Sequence, residues 1–292
     1  MATQAETVKI AEEAMVHKAT SPPLSIFMAA LPGGAYISLG FVFYTTTQVG
    51  ADAMPWGVAK LIGGTVFALG LITCVITGAD LFTSTTMTLI GKAAGRITWP
   101  GLLKHWSLVY FGNAIGAGTI VALCYFGGVY TLADGGWGQV VLATANTKLS
   151  HTFVEAFTLG IGCNLLVCLG VWMAYSGRSS ADKILSLIFP VALFVSTGFE
   201  HSVANMFMIP LGILIRPELA PGGYGDITWA NFVLDNLVPV TLGNIVGGGV
   251  MIGIFYWLLH TRALENARAA RALRPRDASL PSASPPETNP PG

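Results

Sequence analysis

Six long apolar stretches limit what this chain can fold into more than any other feature of its sequence. They lie at roughly 24–47, 57–90, 107–130, 152–175, 183–215 and 230–260, and a helix needs about 20 mainly apolar residues to cross a bilayer. Charged residues make up only 10% of the chain, against about 25% in soluble domains. We therefore predict an all-α integral membrane protein with six transmembrane helices.

The second and fifth stretches are too long for one helix, and glycine and polar residues interrupt each of them. The interruptions, at 78–85 and 197–202, carry Asp80 and Glu200 at membrane depth. We predict that helices two and five are broken there, and that the two carboxylates cap free backbone N–H groups at the breaks.

Lysine and arginine indicate the orientation, because they concentrate in the cytoplasmic connections of a membrane protein. Twelve of the fifteen lie on the side of the termini: Lys9, Lys18, Lys92, Arg96, Lys104, Arg178, Lys183, Arg262, Arg268, Arg271, Arg274 and Arg276. The opposite side carries Lys60, Lys148 and Arg216. Both termini are therefore predicted to be cytoplasmic.

The two halves of the chain have related motifs. A motif in the third stretch returns in the sixth, as Gly112-Asn113-x-x-Gly116-x-Gly118 and Gly243-Asn244-x-x-Gly247-x-Gly249. Because three spans per half invert the second half, we predict two inverted three-helix repeats, an architecture of transporters and channels. The glycines are equally consistent with close helix packing alone.

His201 is the histidine that we expect at membrane depth. The others fall at span ends or outside the spans: His17, His105, His151 and His260. A buried ionisable group is usually functional, although a neutral histidine could simply hold span five together. Thr83, at the other break, is either a pore-facing donor or a loop cap. Half-helices that begin after Thr83 and His201 would direct positive dipole ends inward, which favours an anion.

Lys148 precedes the fourth stretch on the side that has few charges. A solvated loop lysine is the ordinary interpretation, but beside a pore mouth it would raise the local anion concentration, most strongly at low salt. Five apolar residues of the broken spans could form dewetted constrictions, or could serve only packing and lipid contact: Phe67, Leu71, Leu81, Phe82 and Phe194.

The ends of the chain differ from its apolar middle. Residues 1–23 lack the apolar core of a signal peptide, and Val8, Ala11, Met15 and Ala19 recur at helical spacing, which predicts a cytoplasmic amphipathic segment. Residues 24–261 form the predicted transmembrane domain, and 262–292 a disordered tail rich in Pro and Ser. The four cysteines lie in apolar runs without metal-ligand spacing, so we expect no metal or cofactor; we also expect no nucleic-acid partner.

Several long strings resemble the formate/nitrite transporter family, and within it the formate channels. They include Gly78-Ala79-Asp80-Leu81-Phe82-Thr83-Ser84-Thr85, Tyr175-Ser176-Gly177-Arg178-Ser179, Gly198-Phe199-Glu200-His201-Ser202-x-Ala204-Asn205-Met206-Phe207 and Asn236-Leu237-x-Pro239-Val240-Thr241-x-Gly243-Asn244. The resemblance implies an aquaporin-like fold, a homopentamer in the bacterial inner membrane with one pore per subunit, and transport of small monovalent anions, without enzymatic activity.

The resemblance also implies roles for individual residues. The pore centre and proton handling are assigned to His201, Thr83, Glu200 and Asn205, and the anion vestibule to Lys148, with Asn164 as a buried polar partner beside it. The same five apolar residues match the constrictions of the family. Pro32-Gly33-Gly34 in span one and the tail from Pro275 onward depart from the family pattern.

A proton-linked route follows from the energy of moving an anion. A bare carboxylate in an apolar constriction costs tens of kcal/mol in the Born limit, whereas protonating formate at pH 7 costs about 4.5 kcal/mol. We expect Lys148 to attract the anion and His201, or water relayed through it, to supply the proton; His201 would become charged only in acid and act as a pH switch.

Three alternatives to a formate channel stay open at this point. The nearest is a nitrite or hydrosulfide channel of the same family. A membrane enzyme built on Glu200 and His201 is a second, although the sequence has neither a zinc-protease motif nor a serine nucleophile elbow. The third is a membrane sensor or scaffold that conducts nothing.

Overall fold

The computed structural model describes residues 3–260, and within them six helices are long and apolar enough to cross a membrane. They are Pro23–Gln48, Trp56–Thr77, Trp99–Phe126, Phe153–Ser176, Ser202–Leu219 and Trp229–His260. This confirms the prediction of an all-helical membrane protein with six long apolar helices. The predicted tail, with its five arginines, lies outside the described residues.

The α-helical segments follow one another closely along the chain. In order they are α1 (Gln4–Thr20), α2 (Pro23–Gln48), α3 (Trp56–Thr77), α4 (Phe82–Thr85), α5 (Leu89–Ala93), α6 (Trp99–Phe126), α7 (Gly136–Leu149), α8 (Phe153–Ser176), α9 (Ser180–Ser196), α10 (Ser202–Leu219), α11 (Trp229–Asn231) and α12 (Val238–Asn244). A 3-10 turn at Thr86–Thr88 joins α4 to α5. π-helical segments at Phe232–Leu237 and Ile245–Ile254 extend α11 and α12.

Two glycines end the helices that precede the nonhelical segments 78–81 and 197–201. Gly78 follows α3 with φ at +79°, and Gly198 lies just after α9 with φ at +74°. Residues other than glycine rarely adopt this left-handed conformation, so glycine here stops a helix at little cost. The chain re-enters a helix at Phe82 in the first half and at Ser202 in the second.

The third long helix begins earlier than the sequence predicted, at Trp99 rather than near 107. The Thr98 side chain accepts a hydrogen bond from the Gly101 N–H at 3.2 Å, and Pro100 stands in the first turn. The hydropathy boundary had excluded Lys104 and His105. The placement of His105 outside the span is therefore wrong, since this residue lies on α6 and is fully buried.

The connection before the fourth span contains a helix, α7, that was not predicted. Its 14 residues pack against α10 and α2, and Lys148 lies in its last turn. Only 12% of the Lys148 side chain is exposed. The interpretation of Lys148 as a solvated loop lysine is therefore wrong.

The N-terminal segment is the helix α1, packed against the transmembrane helices through the face that the sequence indicated. Val8, Ala11 and Met15 are buried. On the exposed side, the Arg96 guanidinium donates to both carboxylate oxygens of Glu13, at 2.9 and 3.0 Å. This hydrogen bonding holds the pKa of the Glu13 carboxyl below its usual value. Arg96 thus fixes α1 to the loop that precedes α6.

The repeated glycine motifs mark two equivalent helix contacts. A methyl group on Gly116 of α6 would lie 1.9 Å from the Leu31 carbonyl oxygen of α2. One on Gly247 would lie 2.2 Å from the Ile161 oxygen of α8. Both glycines are therefore required for close approach of backbones, which is the packing role that small residues have in membrane helices.

Candidate functional site

Two cavities lie toward opposite ends of α3. The first, which we call the Lys148 cavity, has a volume of about 360 Å³ and contacts Lys60 in the first half of that helix and Phe67 at its middle. The second, the Lys18 cavity, has a volume of about 150 Å³ and contacts Leu71 in the second half. Lys60 and Lys148 line the first cavity, and Lys18 and Lys183 line the second; each cavity is named for the lysine that pairs with a carboxylate.

A hydrogen bond between Thr83 and His201 lies between the two cavities. The Thr83 hydroxyl is 3.0 Å from His201 Nε2, and both side chains are buried. His201 lines the Lys148 cavity, and Ser84, next to Thr83, lines the Lys18 cavity. The structure thus brings together two of the four residues that the resemblance assigned to the pore centre.

Backbone contacts fix the tautomer of the neutral His201 ring. Nδ1 accepts a hydrogen bond from the Ala204 N–H at 3.0 Å and so caps the first turn of α10. In a neutral imidazole one nitrogen donates and the other accepts, so the proton lies on Nε2 and is donated to Thr83. Protonation of Nδ1 would break the cap.

Lys148 and Glu200 form a buried ion pair in the first cavity. Lys148 Nζ lies 2.9 Å from Glu200 Oε1, and 2% of the Glu200 side chain is exposed. The other carboxylate oxygen accepts hydrogen bonds from Asn205, at 2.7 Å, and Asn236, at 3.2 Å. His151 Nε2 stands 3.9 Å from Oε1. The carboxylate is therefore held by Lys148, Asn205 and Asn236.

The second cavity contains the same kind of pair, made by Lys18 of α1 and Asp80. Asp80 is buried, and its backbone N–H donates to the Ala29 carbonyl at 2.9 Å. Glu200 N–H contacts the equivalent carbonyl of Leu159 at 3.3 Å. The prediction that these two carboxylates cap free N–H groups is wrong, because both accept from lysine side chains.

Two asparagines satisfy the backbone groups at the nonhelical segments instead. Asn113 Oδ1 accepts from Phe82 N–H at 2.8 Å, and its amide donates to the carbonyls of Ala30 and Asp80 at 2.7 and 2.8 Å. An asparagine side chain has both an acceptor and two donors, so one residue can bind the free N–H and the free carbonyl where a helix is interrupted.

Asn244 makes the corresponding contacts in the second half. Its Oδ1 accepts from Ser202 N–H at 2.9 Å, and its amide donates to Gly160 O at 2.8 Å and Glu200 O at 3.0 Å. Gly160, in the first span of the second half, thus takes the place that Ala30 has in the first span of the first half.

Asn164 does not contact Lys148, the residue beside which the sequence analysis put it. It is fully buried, and its amide donates to Thr83 O at 2.9 Å and Asn244 O at 2.6 Å. Cys168 Sγ lies 3.4 Å from the same Thr83 oxygen. Asn164 therefore holds the short helix α4, which presents Thr83.

Comparison with known proteins agrees with this geometry. The family model described as formate/nitrite transporter matches residues 5–258. The chain belongs to the formate/nitrite transporter family. The formate channel FocA of Escherichia coli K12 is 53% identical over 268 residues, which cover 88% of this chain and 94% of that protein. The formate channel FocA of Haemophilus influenzae is 48% identical over 263 residues, covering 87% and 93%.

Solved structures of the formate/nitrite transporter family share the fold. A pentameric formate channel with formate bound matches with a TM-score of 0.78 at 46% identity, covering 82% of this chain and 98% of that one. An FNT family ion channel matches with a TM-score of 0.75 at 30% identity, covering 87% and 98%. These relatives are channels and transporters rather than enzymes.

The five apolar residues predicted as constrictions of this family member are all buried, but they do not share one location. Phe67 and Phe194 line the Lys148 cavity, and Leu71 lines the Lys18 cavity. The Phe194 ring stacks on His201 at 5.9 Å. Phe82 lies 4.8 Å from the Tyr110 ring and lines a third, lateral cavity. Leu81 is buried at the start of α4.

Sequence reasoning missed Lys18 and Asn236 as parts of the two ion-pair sites. A signal for Lys18 was available, because Lys18 precedes Lys148 by the same number of positions as Ala30 precedes Gly160. No sequence pattern pointed to Asn236, since its contacts with Glu200 and with the Lys148 carbonyl oxygen, at 3.1 Å, depend on tertiary packing.

Proposed function

We propose that this chain is a formate channel of the bacterial inner membrane. The observation that carries the proposal is the pair of cavities, each with a lysine paired to a buried carboxylate, separated by the hydrogen-bonded Thr83 and His201. Two lysines at opposite ends of a buried polar centre suit a small anion that must leave water at either side. The 53% identity to an E. coli formate channel supports formate as the substrate.

The proposed architecture is two inverted three-helix repeats, with helices two and five broken and an aquaporin-like arrangement. It is supported by the equivalent contacts of Asn113 and Asn244 at the two breaks. The ion pairs support it further, because Lys18 and Asp80 in one half correspond to Lys148 and Glu200 in the other. Such repeats align two half-helices toward a common site near the midplane.

Conduction in this proposal begins with capture at a lysine. An anion that enters a cavity competes with the carboxylate for the ammonium group, so the pair offers attraction without a permanent excess charge. The anion then meets the apolar rings of Phe67 and Phe194 before it reaches His201. Because ionised formate is poorly tolerated there, and its protonation costs about 4.5 kcal/mol at pH 7, it crosses as neutral formic acid.

His201 and Thr83 handle the proton at the centre of this route. The Nε2 proton of His201 is shared with the Thr83 oxygen, so the hydroxyl proton of Thr83 is available to an approaching carboxylate. The proton that formate takes up is replaced from water that enters through the cavities, because neither the Thr83 hydroxyl nor the neutral His201 ring can give up a proton permanently. Asn205 and Glu200 keep the Lys148 side of the centre polar. In acid, His201 would carry a positive charge at the centre of this route, and this change of charge makes His201 the proposed pH switch.

The proposed assembly is a homopentamer surrounded by lipid. A solved relative at 46% identity is described as a pentameric formate channel. The spans also expose large apolar side chains, among them Phe111, Phe126 and Phe189, which requires lipid or neighbouring subunits around the helices.

The proposed orientation, with both termini cytoplasmic, can be tested by labelling. In cells, a cysteine introduced as Asp52→Cys should react with a membrane-impermeant maleimide added outside, and Ser180→Cys should react only after permeabilisation. Both positions are exposed, and the four native cysteines are buried and provide the background control. External labelling of Ser180→Cys would contradict the orientation and the inverted repeats.

Anion flux tests the substrate directly. Purified protein in liposomes should pass radiolabelled formate faster than an equally loaded empty liposome does, and faster than it passes nitrite or hydrosulfide. Preference for nitrite or hydrosulfide would identify the chain as another member of the family. Absence of any flux from a correctly assembled oligomer would favour the sensor or scaffold and overturn the proposal.

A further inference from the structure

His105 is a buried titratable residue for which the proposed conduction route has no use. It lies on α6 with no exposed surface, and neither ring nitrogen has a hydrogen-bond partner within residues 3–260. Buried polar groups are nearly always hydrogen-bonded, so an unpartnered ring of this kind calls for a reason. A stable structural histidine would have at least one partner for its N–H.

The repeat relates His105 to Asn236. His105 precedes Asn236 by the same number of positions as Asn113 precedes Asn244. Asn236 donates to the Lys148 carbonyl oxygen at 3.1 Å and to Glu200 Oε2 at 3.2 Å, and accepts from Asn205 at 2.7 Å. His105 is therefore the repeat counterpart, in the first half, of the residue that contacts the lysine–carboxylate pair in the second.

The charges around His105 agree with this correspondence. Asp80 and Lys18 are the charged groups that act on its ring, and they are the ion pair of the Lys18 cavity. The other charged or titratable residues on α6 and the elements packed against it include Lys9, Glu12 and His17 of α1, Lys104 of α6 itself and Glu218 of α10; among these, Glu12 pairs with Arg96, and Glu218 accepts from Tyr125 and Tyr130. Glu13 of α1 pairs with Arg96, Lys92 of α5 lies over the Trp99 ring at 5.4 Å, and α2 carries no charged side chain.

We propose that His105 is a second proton-binding site of the channel, which controls the charge of the Lys18 cavity. With a neutral ring, Asp80 cancels the charge of Lys18, and Lys183 is the other charged residue that lines this cavity. When the ring binds a proton, it competes with Lys18 for the Asp80 carboxylate, and the group of three carries a net charge of +1. The Lys18 ammonium is then available to an anion, so acid on this side strengthens anion capture.

The response is confined to one side, because the equivalent residue of the Lys148 cavity, Asn236, cannot titrate. His151, the histidine near Glu200, lies at the rim of that cavity with 22% of its side chain exposed, and it is not the repeat partner of His105. The effect on anion capture rests on the proposed conduction of anions, whereas proton binding by His105 does not.

Nitrogen NMR of the full chain in nanodiscs tests the proton-binding site without any flux. In protein labelled with 15N-histidine, the signals lost in His105→Asn identify the ring. They should move from neutral to charged shifts as the pH falls from about 7 to about 4. Signals that stay at neutral shifts across this range would overturn the proposal.

Formate flux with acid on only one side of the membrane tests the effect of His105 on anion capture. In right-side-out and inverted vesicles, acid on the Lys18 side should lower the half-saturating formate concentration for wild type, and His105→Asn should lose this effect. Acid on the Lys148 side should act alike on both proteins. Asn236→His is the matched variant, and it should add an acid response on the Lys148 side. A sided response that persists in His105→Asn would contradict the proposal. Absence of formate flux through the wild-type protein would contradict the channel function instead, and the NMR titration would then test whether His105 binds a proton.

Discussion

Lys148→Ala should destabilise the protein by about 3–5 kcal/mol, because it leaves a carboxylate buried without its counter-charge. Glu200 has 2% of its side chain exposed and keeps only neutral amides and the distant His151 as neighbours once the lysine is gone. Formate flux should fall by about tenfold or more, since the electrostatic attraction at the cavity is lost. Chemical denaturation in detergent and liposome flux measure the two effects.

The double variant Lys148→Ala/Glu200→Gln is the matched control for this prediction. It removes both charges, so it should recover most of the stability and little of the flux. The loss of flux should also persist at high salt, because a buried pair is screened far less than the solvated lysine that the sequence suggested. Full stability of Lys148→Ala alone would contradict the buried ion pair.

Asn244→Leu should cost about 3 kcal/mol or more, because it leaves three buried backbone groups without partners at about 1–3 kcal/mol each. These groups are Ser202 N–H and the carbonyls of Gly160 and Glu200. The start of α10 would lose its position, and flux should fall with it. Denaturation and oligomer assembly on gel filtration check the prediction.

Two further variants separate this effect from the general cost of an asparagine-to-leucine change. Asn113→Leu removes the equivalent contacts in the first half and should cost a similar amount. Asn146, on α7, makes no side-chain hydrogen bond with the described residues, so Asn146→Leu should change stability by less than about 1 kcal/mol. Equal effects at Asn244 and Asn146 would refute the asparagine contacts as the cause.

The helical membrane fold was predictable because a bilayer imposes a length and an apolar composition on every span. The His201 position followed from the cost of an ionisable group at that depth, and the resemblance added Thr83. The ends of the helices were harder to predict from the sequence. Lys104 and His105 excluded the first turns of α6 from an apolar window, although the helix begins at Trp99 and contains both residues.

Partners of charged and amide side chains could not be predicted, because tertiary approach decides them. Lys148 looked solvated until α7 brought it to Glu200, and Asn164, expected beside Lys148, instead holds the short helix α4 that presents Thr83. The internal repeat relates more residues than the glycine motifs from which it was recognised. The same offset that relates the glycine motifs also relates His105 to Asn236, a correspondence that acquires meaning only when the contacts of Asn236 are known.

Formate current through His201→Asn, measured in planar bilayers at stepped pH, tests the central claim most directly. Asparagine can retain the cap on Ala204 N–H and a polar contact with Thr83, but it cannot titrate. With assembly verified by gel filtration, and with formate saturating so that capture at the Lys18 cavity does not limit the current, the variant should conduct with little dependence on pH between about 4 and 7, where the proposed switch predicts that wild type responds. An unchanged acid response in the assembled variant would contradict the role of His201 as the proton-handling centre.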